Sequence, residues 1–329
     1  MARADVNSDD QGSLTIAGTK GLASSSEMKA RNKATSIGLI AILLWASIVG
    51  LIRSVSEGLG PTAGAAMIYT VASALLWGTV GFTRLAEMPR RYLYWGSLLF
   101  VSYELCLALS IGYATSGQQT IEVGMVNYLW PTFTMVSAIV FNRQKANLLV
   151  VPGLLISLAG ILLVLGGGRG VSWTGVLAHV QENPLSFGLA FMGAIIWAAY
   201  CTVTARIASG KNGITLFFML TALVLWGKYL VTDGSPMNWS MPTAIYLAFA
   251  AAAMGFGYAC WNFGILHGHV TILAGASYFT PVLSAALAAA MLRVPLAASF
   301  WLGTAMVCGG ATLCWVSTRT PACAQLNRE

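Results

Sequence analysis

Residues 121–141 read IEVGMVNYLWPTFTMVSAIVF. The stretch is long enough to cross a bilayer as a helix, yet it sets Asn127, Tyr128, Trp130 and Pro131 near its middle. Proline removes one backbone hydrogen bond and clashes with the carbonyl four residues back, so the helix is predicted to bend there. Lipid offers the freed carbonyl no donor, so the bend belongs where it faces protein or a wet cavity. Residues 270–292, VTILAGASYFTPVLSAALAAAML, repeat the device with Ser277, Tyr278 and Pro281. The two prolines are 150 positions apart, each with a tyrosine three residues upstream. Two bent helices facing one another across a central cavity are the expectation.

The rest of the chain fits that frame. Hydrophobic residues make up 57% and charged residues 9%, against about 25% charged in soluble domains. The fold class is therefore an all-α polytopic membrane protein, its partner the lipid bilayer. The net charge of +7 does not point to nucleic acid, because the basic residues sit singly in short loops and in the N-terminal stretch. Ten apolar segments are legible, at about 35–53, 62–83, 92–114, 121–141, 148–166, 185–206, 214–232, 243–264, 270–292 and 296–317. Residues 1–33 lack an apolar run and read as a disordered cytoplasmic tail, and 319–329 as a cytoplasmic C-terminal tail. Of 18 Lys and Arg, only Arg53, Arg169, Lys228 and Arg293 fall on the outer side when the N-terminus is inside, which sets both termini in the cytoplasm.

The repeat reaches past the prolines. Trp45-Ala46 answers Trp197-Ala198, Gly160 answers Gly310, and Tyr103 pairs with Tyr258. Residues 34–167 and 184–318 then form two five-helix repeats, and an odd number forces the second to insert upside down: ten transmembrane helices as two inverted five-helix repeats. Substrate sites of such folds lie near the midplane between the halves. Small residues four apart (Gly153 and Ser157, Ala305 and Gly309), with Ala285, Ala286, Ala289 and Ala290, are expected to carry close helix packing.

The candidate chemistry is aromatic and amide rather than catalytic. Tyr92, Tyr94, Trp95, Trp239 and Trp301 fall at span ends and suit an interfacial belt. Trp45, Tyr103, Asn127, Tyr128, Trp197, Tyr200, Tyr258, Asn262 and Tyr278 lie nearer span centres and are the candidate substrate-binding set. Helix–helix packing with local hydrogen bonds is the structural alternative for any one ring; for the set, a ligand cavity is preferred. Glu104, in the middle of FVSYELCLALS, is the coupling candidate: it can hold a proton, meet a substrate ammonium, or hydrogen-bond a neighbouring Tyr or Asn. Glu122 is read as solvated near the outer mouth, Lys228 as an interfacial anchor. The six cysteines lack metal-ligand spacing, no nucleophile–base pair is legible, and Gly166-Gly167-Gly168 has no Lys-Ser/Thr after it, so no metal, cofactor or enzymatic activity is expected.

The stretches GLIRSVSEGLGP (50–61), LLFVSYELCLALSIGYA (98–114), IEVGMVNYLWP (121–131), IWAAYCTVT (196–204), WNFGILHGHVTI (261–272), SYFTPVLSAALAA (277–289) and MVCGG (306–310) resemble the drug/metabolite transporter superfamily of the EamA type. The resemblance spans about residues 30–318. It implies a monomeric inner-membrane exporter of aromatic amino acids, with other neutral amino acids as further substrates, working by alternating access. A broader drug or metabolite efflux transporter of the same superfamily is the alternative. A quaternary-ammonium exporter would want an acidic residue in its first span, where this chain has Trp45, and a nucleotide-sugar carrier would want basic residues in the cavity.

Overall fold

The computed structural model describes residues 10–318 apart from 83, 167–172 and 235, and side chains from residue 27 onward except 233, 270 and 271. Residues 1–9, Arg169, and the C-terminal tail 319–329 with Cys323 lie outside the described residues. The elements are helices: α1 (Asp10–Leu59), α2 (Pro61–Thr79), α3 (Arg90–Gly112), α4 (Gly117–Asn127), α5 (Trp130–Asn142), α6 (Val150–Leu165), α7 (Trp173–Glu182), α8 (Pro184–Ile207), α9 (Ile214–Lys228), α10 (Met241–His267), α11 (Val270–Ser277), α12 (Thr280–Leu292) and α13 (Ala298–Ser317). Among the described residues, seven helical stretches are long and apolar enough to cross a membrane, and Val150–Leu165 and Thr280–Leu292 are shorter apolar helices. The chain is a polytopic, all-helical membrane protein.

Residues 10–33, read from the sequence as part of the N-terminal tail, fall within α1. They contain no proline to stop a helix that continues into the following span. The short helix α7 was not anticipated either.

The proline bends take the form of interruptions. Between α4 and α5 the chain turns at Tyr128 and Leu129, where Leu129 N–H reaches back only to Val126 O (3.2 Å). Between α11 and α12 it turns at Tyr278 and Phe279, with Phe279 N–H on Ala276 O (3.0 Å). Pro131 and Pro281 each stand in the first turn of the helix that follows, where a missing N–H costs nothing. Helical bonding resumes at Phe133 N–H to Leu129 O (3.0 Å) and Leu283 N–H to Phe279 O (3.1 Å). Both half-helices end on an arginine in the left-handed region, Arg143 (φ 53°) and Arg293 (φ 54°). Every one of these features recurs 150 positions later.

Close packing rests on glycine. A Cβ on Gly153 would lie 2.8 Å from Gly310 O, and one on Gly160 or Gly303 would lie 2.6 Å from the other's carbonyl. The numbers rise along α6 as they fall along α13, so the two cross antiparallel, with the Ser157 hydroxyl on Thr132 Oγ1 (2.9 Å). The expected face Ala305–Gly309 points away: both are exposed, and nothing lies within 4 Å of a Cβ on Gly309. Likewise Ala285 and Ala288 are buried on α12 while Ala286 and Ala290 are exposed. Gly153→Ala and Gly160→Ala are each expected to cost about 1–3 kcal/mol by overpacking, whereas Gly309→Ala should be neutral. Thermal denaturation of the detergent-solubilised protein checks the contrast; equal effects at Gly160 and Gly309 would reject the glycine-packed crossing.

The other principal contacts pair α1 with α10, α3 with α8, and α2 with α9. Gly264 sits against Gly38 and Gly257 against Trp45, so α1 and α10 also run antiparallel. Tyr94, Trp95, Trp239 and Trp301 are exposed as a belt requires, but Tyr92 is buried, its hydroxyl accepting from Gly213 N–H (3.1 Å). An internal partner for the hydroxyl outweighs an interfacial position there.

Candidate substrate cavity

A cavity of about 220 Å³ lies between the two interruptions. Its wall takes Trp45, Ile48 and Val49 from α1, Tyr103, Glu104 and Leu107 from α3, and Gly124 and Asn127 from α4. Tyr128 and Trp130 come from the first interruption, and Trp197 and Cys201 from α8. Met254, Tyr258 and Trp261 on α10 and Ser277 and Thr280 at the second interruption complete it. Seven of these are aromatic, and Glu104 is the one charged residue among them.

The rings form two packed groups. Trp45 meets Tyr258 edge-on (5.1 Å between centroids) and lies 5.2 Å from Trp261. Trp197 lies 4.4 Å from Tyr103, stacks on Tyr200 at 5.0 Å, and meets Trp130 nearly perpendicular at 6.2 Å. Gly257 gives the Trp45 indole its room, since a Cβ there would lie 2.7 Å from Nε1. That indole nitrogen is buried without a hydrogen-bond partner among the described residues. Gly193 does the same for Asn127, whose amide donates to Ala190 O (3.4 Å).

Glu104 is wholly buried. Its carboxylate accepts from Tyr69 Oη at 2.5 Å and from Tyr258 Oη at 2.8 Å. Two phenols from α2 and α10 thus offset part of the cost of burying the acid, and they aim it along the cavity wall. Phe218 packs on both phenol rings, 5.3 Å from Tyr69 and 5.2 Å from Tyr258.

No family model matches the chain. An aromatic amino acid exporter YddG of Escherichia coli (strain K12) is 59% identical over 289 residues, covering 88% of this chain and 99% of that one. A second, from Salmonella typhimurium (strain 14028s / SGSC 2262), is 58% identical over 287 residues, 87% of this chain and 98% of its own. This chain belongs to the YddG family. A more distant YddG, from Ancylobacter novellus, is 24% identical over 296 residues, with 88% and 99% of the two chains covered. A solved structure described only as the crystal structure of a protein superposes with a TM-score of 0.64 at 23% identity, over 87% of this chain and 99% of that one. That likeness speaks for the fold alone.

In this YddG-family chain the cavity gathers Trp45, Tyr103, Asn127, Tyr128, Trp197 and Tyr258 of the anticipated set, together with Glu104. Tyr200 stands behind Trp197 rather than on the wall, Tyr278 is buried near Trp315 (5.8 Å), and Asn262 is not among the lining residues. Trp130, Cys201, Met254, Trp261, Ser277 and Thr280 line it without having been in that set. Tyr69 was missed altogether. Its mid-span position in AAMIYTVASALL was the available signal, since a buried phenol needs a partner. Glu122, read as solvated, is 1% exposed and accepts from Gln118 Nε2 (2.9 Å). The reason is α7, which lies over that end of the bundle and places His179 Nε2 2.7 Å from Glu122 Oε2.

Proposed function

We propose that the protein exports aromatic amino acids across the bacterial inner membrane by alternating access through this cavity. The observation that carries the reading is the wall itself: Trp and Tyr rings on opposite sides, an amide and two hydroxyl side chains, and no basic residue. A zwitterion holds opposite charges close together and needs oriented dipoles more than a fixed counter-charge, while its ring gains from stacking. Anionic and phosphorylated solutes find nothing basic to meet. The relatives named as exporters of this substrate class support the same assignment. The test is counterflow of labelled tryptophan in proteoliposomes. Phenylalanine, tyrosine and tryptophan should exchange fastest, other neutral amino acids more slowly, and glutamate not at all; equal rates for glutamate and tryptophan would defeat the reading.

The architecture proposed with it is ten crossings in two inverted repeats, about 34–167 and 184–318, working as a monomer with both termini in the cytoplasm. Several relations support it. The contact Gly153–Gly310 becomes Gly303–Gly160 when the halves are exchanged, so one helix crossing obeys the symmetry in detail. The pair α1–α10 corresponds in the same way to α8–α3. Directions alternate as ten crossings require: α1 runs antiparallel to α10 but parallel to the broken helix α11–α12, as Gly38 on Leu273 of α11 and Gly50 on Met291 of α12 indicate. Pro131 and Pro281 are the proposed hinges, because each follows a two-residue break that swivels without losing further backbone bonds. A cysteine replacing the exposed Arg91 is expected to react with impermeant thiol reagents only from the cytoplasm, and one at the exposed Gln118 only from outside. Labelling of Arg91→Cys from the periplasm would reverse the orientation.

A further inference from the structure

The two pore half-helices are related by the repeat, yet they are not equally enclosed. On α4 every residue from Gln119 to Asn127 is buried. On α11 Leu273 is buried, but Ile272 is 52% exposed, and Ala274, Gly275, Ala276 and Ser277 are only half-buried. The start of α4 packs on the end of α12, where a Cβ on Gly117 would lie 2.9 Å from Val294 Cγ2. The bundle is shut at the α4 end and looser at the α11 end.

The shut end carries polar ties. His179 of α7 meets Glu122 of α4 through Nε2 (2.7 Å), and its Nδ1 faces Glu182 (3.3 Å). Asn183, which caps α8, donates to Gln119 Oε1 (2.8 Å) and to Tyr113 O (2.9 Å). Gln119 Oε1 also accepts from Thr115 N–H (2.8 Å), and Phe187 of α8 backs the His179 ring at 5.6 Å. Helix α7 belongs to the connection between the two repeats, so the symmetry supplies no equivalent tie for α11. The ties at Gln119 and Glu122 are mostly side chain to side chain, and these two residues are almost fully buried although His179 is 29% exposed, which gives the ties weight in holding one arrangement.

We propose that Glu122–His179 and Gln119–Asn183 form a latch that holds α4 against α7 and α8, keeps the cavity closed to the outside, and must part in each export cycle. His179 and Asn183 are then positioning residues of the outer gate. This rests on the export reading above, with the α4 end facing outward. It explains why a carboxylate near the outer mouth is buried rather than solvated, and why its partner sits on a short helix outside the repeats.

The test introduces cysteines at Glu122 and His179 in a background whose other cysteines are replaced, and bridges them with a short, cleavable bifunctional thiol reagent. Bridging should arrest tryptophan counterflow and cleavage should restore it, while a monofunctional reagent of similar size leaves exchange running. Full counterflow in the bridged protein overturns the latch. If the double variant does not fold, His179→Ala decides in a background keeping only Cys201, which lines the cavity. Losing a charge-assisted hydrogen bond shifts the gate about tenfold, so Cys201 should react about tenfold faster with an impermeant thiol reagent from outside. An unchanged rate overturns the proposal. Failure of the export reading looks different: the unmodified protein exchanges no aromatic amino acid, yet Cys201 still responds to His179→Ala.

Discussion

Glu104→Leu is expected to abolish transport and to lower the yield of folded protein, whereas Glu104→Gln is expected to fold and to exchange substrate. The carboxylate accepts from Tyr69 at 2.5 Å and from Tyr258 at 2.8 Å in a wholly buried position. Leucine leaves two phenols without an acceptor, at about 1–3 kcal/mol each. Glutamine keeps a carbonyl oxygen for one of them, so the wall stands. What glutamine cannot do is take up and release a proton. As the one carboxylate on the wall, Glu104 is the group we expect to couple export to a proton gradient, because an ionisable residue within a membrane span is a functional candidate by default. Gradient-driven accumulation of tryptophan should therefore vanish in Glu104→Gln while counterflow persists. Accumulation retained by a well-folded Gln variant would leave Glu104 as a packing acid only.

The second large effect is expected at Trp197. Its ring lies 4.4 Å from Tyr103 and 5.0 Å from Tyr200, with one surface on the cavity. A stacked ring pair contributes about 0.5–1.5 kcal/mol beyond area burial, or up to roughly tenfold in affinity. Trp197→Ala should thus weaken apparent affinity for tryptophan and phenylalanine by up to that factor, and affect threonine much less. Counterflow competition with the two substrate classes measures the difference. A uniform loss would mean that Trp197 only packs α3 against α8.

The parts of this architecture that were legible in the sequence are those fixed by local covalent chemistry. Pro131 and Pro281 announce their breaks because a missing N–H acts on the residues beside it. Trp45 and Trp197, near the centres of apolar spans, do face the cavity, although the Trp45 indole N–H finds no partner there. Where a pattern allows two answers, it chose badly. Small residues at fourfold spacing occur on more than one face of α13; Ala305 and Gly309 satisfied the spacing, but Gly303 and Gly310 make the contact. Partners far apart in the chain were invisible as well. Tyr69 reaches Glu104 across 35 positions and His179 reaches Glu122 across 57, and no periodicity encodes either distance. Helix α7 escaped notice because it is too short to register as a span, and with it went the burial of Glu122.

The central claim is that aromatic amino acids occupy the cavity between the two interruptions, and Cys201 on its wall offers a direct reporter. In a variant retaining only that cysteine, alkylation by a small thiol reagent is followed with and without saturating tryptophan. The account predicts that tryptophan, phenylalanine and tyrosine slow the reaction while glutamate and lysine do not. Identical alkylation rates in the presence and absence of tryptophan, in protein that still performs tryptophan counterflow, would place the substrate's route elsewhere.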